Sequence, residues 1–365
     1  MPLLTELIRV GYGIYKDLVA TGDRLSDKLI PTKKSMPKIV RFHRIGGPEV
    51  LQLEELPVPE PKAGEVRLKV EAIAINRAEV VFRRGYYYIQ PHFPSLIGYE
   101  AAGVVEAVGP EVSEWKVGDR VNSIPAFLMH NYGTYGEVVL LPAYALARYP
   151  DKMSPIEGTS IWMQYLTAYG LIEFGKMHEG DQVLITAAAS SVGLAAIQMA
   201  NSMGAVPIAT TRNPTKEAAL RDAGAAFVVN TAENNWPEKV REITDGKGVD
   251  LAFDAVTGKD LELVAQCVRS EGTILVYGAL APQPTPLPLR VAMVNNLTIR
   301  GHTLYSIVIK DPARLERAKQ WVYDQLAAGT IRPIIAKTFP LTEIVAAHQF
   351  MESNEQIGKI VVTVP

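Results

Sequence analysis

The sequence predicts an α/β protein with a doubly wound parallel sheet and a β-rich domain ahead of it. Three observations carry this expectation. Residues 181–200 pass from a β-branched run through small residues into a helix-period run, the pattern of strand, tight turn and helix. Residues 36–157 hold mostly short strand-like runs punctuated by Pro and Gly, and the chain has a further β-branched run at 358–363, which reads as one more strand. With 365 residues, 48% of them hydrophobic, and a net charge of -2, the chain has room for two domains and carries no excess charge directed at nucleic acid or a membrane surface. One cysteine, Cys267, excludes an intrachain disulfide and a cysteine-rich zinc lobe. No run reaches the ~18 apolar residues of a membrane helix, and the expected location is the cytoplasm.

The divisions follow from the same pattern: a helical extension over 1–35, a first part of the catalytic domain over 36–157, a nucleotide-binding domain over 158–303 and a return segment over 304–365. In the extension Leu4, Leu7, Ile8, Tyr15, Leu18, Val19, Leu25 and Leu29 fall near helical spacing. A docking helix and a dispensable leader both fit; Glu6, Asp17, Asp23 and Asp27 argue against a transit peptide, which is poor in acids. Strands follow over 38–42, 51–56 and 65–75, then a short helix from Asn76 into an aromatic loop at Tyr86, Tyr87 and Tyr88, then alternating small and β-branched residues over 98–109 and a hairpin at 115–121.

The turn at 188–193 is where the nucleotide reading begins. Backbone N–H groups and a helix N-terminus can approach a pyrophosphate only if the side chains there are tiny, and Ala188, Ser190, Ser191, Val192 and Gly193 supply that turn. Ala188, Ser190 and Gly193 stand where a G-x-G-x-x-G pattern has three glycines; only the last is glycine. After the second strand, over 205–211, an NAD site places an acid against the ribose 2′-hydroxyl. Here the segment holds Thr211, Arg212, Thr215 and Lys216 and no carboxylate, which suits a 2′-phosphate and predicts NADP; a solvated basic helix start is the bland account. Further strands at 226–230, 248–253, 273–278 and 297–301 complete the sheet. The fourth ends in Asp254, at the carboxyl edge where ligands of such sheets gather.

These motifs together carry a family resemblance. Gly98, Glu100, Gly103, Val105, Val108 and Gly109, followed by Gly118-Asp119-Arg120-Val121, resemble the signature of the medium-chain dehydrogenase/reductase superfamily. Ile75 to Glu79 with Arg84-Gly85-Tyr86-Tyr87 is similar to its zinc-free quinone oxidoreductase branch, which includes the ζ-crystallins. The resemblance runs from Met36 to Pro365 and implies a Rossmann sheet inserted in a GroES-like β-barrel catalytic domain. It implies that Thr167 lies beside the nicotinamide, that Tyr277 and Gly278 lie near its ribose, that Lys359 joins the cofactor-binding set, and that 297–301 pairs across a dimer twofold. Zinc-using members carry Cys where Asn76 stands and His where Tyr99 stands, so no metal is expected, and the six histidines show no helical pairing. Without a metal, Asn76 and Tyr87 are the groups expected to meet the charge on a substrate oxygen. A quinone or an α,β-unsaturated carbonyl suits such modest donors better than a saturated alcohol. Tyr87 is either a proton donor or part of an aromatic wall. An enoyl thioester reductase, with Arg77, Arg83 and Arg84 as a basic entrance, and a nucleotide-binding sensor with vestigial activity are the alternatives.

Overall fold

The computed structural model describes residues 36–365, of which Pro37–Pro365 form one compact unit; the extension expected over 1–35 lies outside the described residues. Six strands make an all-parallel sheet in the order Phe227–Asn230, Val206–Thr211, Gln182–Ile185, Val249–Asp254, Val268–Val276 and Thr298–Gly301. Between Gln182–Ile185 and Val249–Asp254 the chain reverses its direction of progress across the sheet, and the crevice at the carboxyl ends of that pair is where such sheets bind ligands. The near-continuous apolar strands are what a sheet covered on both faces requires. The strand expected from 273 begins five residues earlier, at Val268, because Val249 and Leu251 pair with Val268 and Thr273 across an irregularity in the register.

The second sheet has seven strands and is organised by Glu65–Ile75. This long strand pairs along one edge with Glu100–Val108. Its other edge is shared between Val138–Pro142 and the last strand, Lys359–Thr363, where Val361 lies opposite Ala74. The tail therefore completes the first domain's sheet. Its helix Pro312–Ala328 buries Ala318 and Val322, with Leu315 half-buried, and Ile335–Pro340 pairs in parallel with the last strand.

The apolar segment at 158–170 forms two short helices, Trp162–Ala168 and Gly170–Glu173, rather than one. It reaches both halves: the Trp162 indole donates to Asn122 Oδ1 at 2.8 Å, the Met163 amide to Glu100 Oε1 at 2.7 Å, and the Tyr165 hydroxyl to Gln198 Oε1 at 2.8 Å on the nucleotide-side helix. One hydrophobic core runs through both sheets, and a second, which includes Leu184, Ile208, Trp236 and Val264, belongs to the parallel sheet and its helices. Among the described residues no helix is long and apolar enough to cross a membrane.

Candidate active site

The small-residue turn leads into the helix Ser191–Ser202, capped by Ser190, whose hydroxyl accepts from the Gly193 amide at 3.0 Å. A Cβ on Gly193 would lie 2.6 Å from both the Cα and the carbonyl oxygen of Ala188, a separation real side chains do not reach, so glycine is what lets the helix pack onto the turn. Ala188 is buried, while Ser190, Ser191 and Val192 stay half-exposed at the helix start. Ser190 also forms a bridge to Gly358, whose amide donates to Ala189 O at 3.0 Å, so the return segment touches the nucleotide turn directly.

Along the carboxyl edge, Asp254 is fully buried and accepts from the Thr186 hydroxyl at 2.6 Å and from the amides of Val256 and Thr257 at 3.0 Å each. It organises the turn after its strand, and burial raises its pKa. Gly278 closes against Ala255. Tyr277 stacks on Phe253 with ring centres 3.9 Å apart; its buried hydroxyl has no hydrogen-bond partner and lies toward Ser190. A buried orphan of this kind beside an open helix N-terminus is what a bound dinucleotide would satisfy. Thr167 donates to Met163 O, and its own carbonyl meets His302 Nε2 at 3.0 Å.

The two cations expected at the ribose end differ. Arg212 is exposed, whereas Lys216 is buried and its ammonium donates to the carbonyls of Asn354 and Gln356 at 2.7 and 3.0 Å. Thr211 turns its hydroxyl back to the Asn213 backbone.

Asn76 and Lys359 come together in a way the sequence did not reveal. Lys359 Nζ donates to Asn76 Oδ1 at 2.5 Å and to Glu100 Oε2 at 2.6 Å, with the lysine and glutamate side chains 0% and 1% exposed. Both Asn76 amide hydrogens are taken, by Glu79 at 3.2 Å and Glu100 at 3.1 Å. Two buried carboxylates need a counter-charge, and the Lys359 ammonium is it. In this arrangement both Asn76 amide hydrogens are spent on carboxylates, and Lys359 spends two of its three ammonium hydrogens on Asn76 and Glu100. Glu79, which also accepts from the amides of Asn76 and Tyr99, has its carboxyl pushed up to about 7 by burial.

Tyr87 belongs to a cluster of four phenols. Its hydroxyl donates to Tyr88 at 3.2 Å and accepts from Tyr99 at 3.4 Å; Tyr99 and Tyr305 hydroxyls are 3.1 Å apart, and Tyr305 donates to Phe127 O at 3.2 Å. Tyr88 lies edge-on to Tyr305 with ring centres 5.2 Å apart. Burial raises the pKa of Tyr87 and Tyr99, and lifts Tyr88 to about 12. Tyr305 went unnoticed in the sequence because it lies 206 residues from Tyr99, and no local spacing could join them. The sequence likewise gave no sign that the His92 and His130 rings sit 4.7 Å apart.

Among the described residues no three His, Cys, Asp or Glu side chains are grouped to hold a metal. Where the resemblance puts a cysteine and a histidine in zinc-using members, this chain has Asn76 and Tyr99, an amide and a phenol that do not fit zinc. The arginines considered as a basic entrance are committed within the protein: Arg77 to Met351 O and Asn354, Arg83 to Gly46 O and Glu352, and Arg84 to Glu352.

A family model described as the alcohol dehydrogenase GroES-like domain matches residues 62–151, and one described as zinc-binding dehydrogenase matches residues 191–322. A 2-haloacrylate reductase from a Burkholderia species is 32% identical over 335 residues, covering 88% of this chain and 97% of that protein. A quinone oxidoreductase from Pseudomonas aeruginosa is 32% identical over 329 residues, with 89% and 99% covered. The crystal structure of Escherichia coli quinone oxidoreductase complexed with NADPH superposes with a TM-score of 0.83 at 31% identity, covering 89% of this chain and 99% of that one.

Proposed function

Because this chain belongs to the medium-chain dehydrogenase/reductase superfamily, with quinone oxidoreductases among its relatives, we propose that it is an NADPH-dependent oxidoreductase that reduces a quinone or an α,β-unsaturated carbonyl without a bound metal. NADPH, once bound, supplies a hydride to the electrophilic substrate. The observation that carries the reading is the pairing of an open helix N-terminus at Ser190 to Gly193 with a phenol cluster in the adjoining half. Ser190, Ser191, Val192 and Gly193 would cradle the pyrophosphate, Arg212 with Thr211 and Lys216 the 2′-phosphate, and Thr167, Asp254, Tyr277 and Gly278 the nicotinamide end. Tyr87 would meet the substrate oxygen, since the Asn76 amide is already spent on Glu79 and Glu100. Phenols that stay protonated stabilise a delocalised enolate or hydroquinone anion, whereas forming an alkoxide at neutral pH calls for a metal or a strong base. The single cysteine, Cys267, is buried and unpaired, which suits a reducing compartment, and the cytoplasm is the proposed location.

The test is NADPH consumption against a panel of simple quinones and enones. Wild-type protein should turn over at least one of them, and Tyr87→Phe should lower that turnover at least tenfold, about 1.4 kcal/mol of barrier, with nucleotide affinity unchanged. Tight nucleotide binding with no turnover on any member would make the protein a nucleotide-binding module instead.

The same reading includes a homodimer. Among the described residues Thr298–Gly301 pairs on one side only, and the adjacent helix Leu289–Val294 buries none of its residues, leaving Leu289, Met293 and Val294 exposed at 58%, 69% and 72%. An open strand edge flanked by apolar side chains is a surface for self-pairing. Met293→Asp combined with Val294→Asp should convert a dimer to a monomer in sedimentation velocity, and a wild type that is already monomeric at micromolar concentration would remove this assignment.

A further inference from the structure

Resting on the proposed function's Tyr87 as the group that meets the substrate oxygen, we propose that Tyr87 also hands that oxygen its proton and that Tyr88, Tyr87, Tyr99 and Tyr305 form a reversible proton relay whose solvent end is Tyr88.

The argument starts from counting protons. Each phenol carries one hydrogen, and the cluster has four contacts to fill: Tyr88 with Tyr87, Tyr87 with Tyr99, Tyr99 with Tyr305, and Tyr305 with Phe127 O. The Phe127 carbonyl can only accept, so Tyr305 must donate to it. If Tyr99 donates to Tyr87 and Tyr87 to Tyr88, the 3.1 Å contact between Tyr99 and Tyr305 holds no proton. If the other three hydroxyls instead turn round, Tyr88 donates to Tyr87, Tyr87 to Tyr99 and Tyr99 to Tyr305, and all four contacts are filled. Rotating the hydroxyls converts one state into the other, with no movement of heavy atoms.

Burial runs in the direction a relay needs. Tyr99 is 1% exposed, Tyr87 and Tyr305 are half-buried, and Tyr88 is 58% exposed. A phenolate left at Tyr87 would be desolvated, which raises its pKa far above the usual value, whereas Tyr88 rises only to about 12. A proton given up by Tyr87 therefore has to be replaced in the same passage. In balanced form, a dihydronicotinamide supplies the hydride and the Tyr87 O–H bond breaks as the substrate O–H bond forms. The Tyr88 proton then passes to the Tyr87 oxygen, and water or buffer acid returns a proton to Tyr88. The substrate gains one hydride and one proton, and the four phenols end as they began.

Two readouts test this. In nucleotide-free protein carrying ¹³Cζ-tyrosine, Tyr88→Phe should shift the Tyr87 and Tyr99 resonances, because Tyr87 loses the Tyr88 hydroxyl as a partner and Tyr99 loses the alternative arrangement in which it donates to Tyr87. In loaded enzyme the same substitution should lower kcat about tenfold and enlarge the solvent deuterium isotope effect, while the KM for quinone and the nucleotide Kd stay within twofold. A Tyr88→Phe protein with wild-type kcat and isotope effect, one whose only change is a raised KM, or one with an unshifted Tyr87 resonance would overturn the relay. If wild-type protein oxidises no NADPH with any quinone or enone, the proposed function fails instead, and the resonance measurement still decides whether the four hydroxyls are coupled.

Discussion

Lys359→Met should destabilise the protein by about 3–5 kcal/mol, the usual cost of breaking a buried pair by removing one partner. The lysine side chain is wholly enclosed, and its ammonium is the positive group bonded to both Asn76 and Glu100. Methionine fills much of the volume but leaves the Glu100 carboxylate facing Asn76 and the nearby Glu79 with no counter-charge. Restoring neutrality should recover part of the loss, so Glu100→Gln with Lys359→Met should be more stable than Lys359→Met alone. Urea unfolding followed by tryptophan fluorescence measures both, and a single-variant loss below 1 kcal/mol would mean that the network admits water. The loosened return segment should also weaken nucleotide binding, since Gly358 is fastened to the Ala189–Ser190 turn.

Arg212→Ala combined with Lys216→Ala should cut the preference for NADPH over NADH by 10- to 100-fold, the equivalent of one charge-assisted phosphate contact at about 1.5–3 kcal/mol. The two residues should not contribute equally. Arg212 is exposed with its guanidinium open to solvent, whereas Lys216 spends two of its three hydrogens on Asn354 and Gln356, and burial lowers its pKa. Arg212→Ala alone should therefore account for most of the change. Fluorescence titration of both reduced nucleotides into each variant checks this, and equal binding of NADPH and NADH by wild type would remove the assignment.

What was legible in the sequence was set by local chemistry. The strand, turn and helix at 182–202 and the alternation at 100–108 follow from side-chain size and periodicity over ten to twenty residues, and the parallel sheet follows from their repetition. The family resemblance supplied the return of the tail and the inserted order of the two halves. What stayed hidden was long-range pairing. The sequence placed Lys359 among the cofactor ligands and Asn76 at the substrate oxygen; nothing nearby announced that the two side chains would bind each other across 283 residues. Glu79 was noticed only as the end of the motif from Ile75, yet its side chain is fully enclosed. Tyr99 was noticed only for the histidine it replaces, and its contact with Tyr305 depends on how the two halves close.

The strand Glu65–Ile75 exposes half of one edge until Lys359–Thr363 arrives to cover it. At a translation rate of roughly 5–20 residues per second, the ~290 residues between those partners take about 15–60 s to emerge from the ribosome. Throughout that interval the nascent barrel offers unpaired amides and carbonyls beside the apolar side chains of Ile73 and Ile75. Newly made protein is accordingly most prone to aggregation before residues 359–363 emerge, and a chain cut before Lys359 should stay in that vulnerable state.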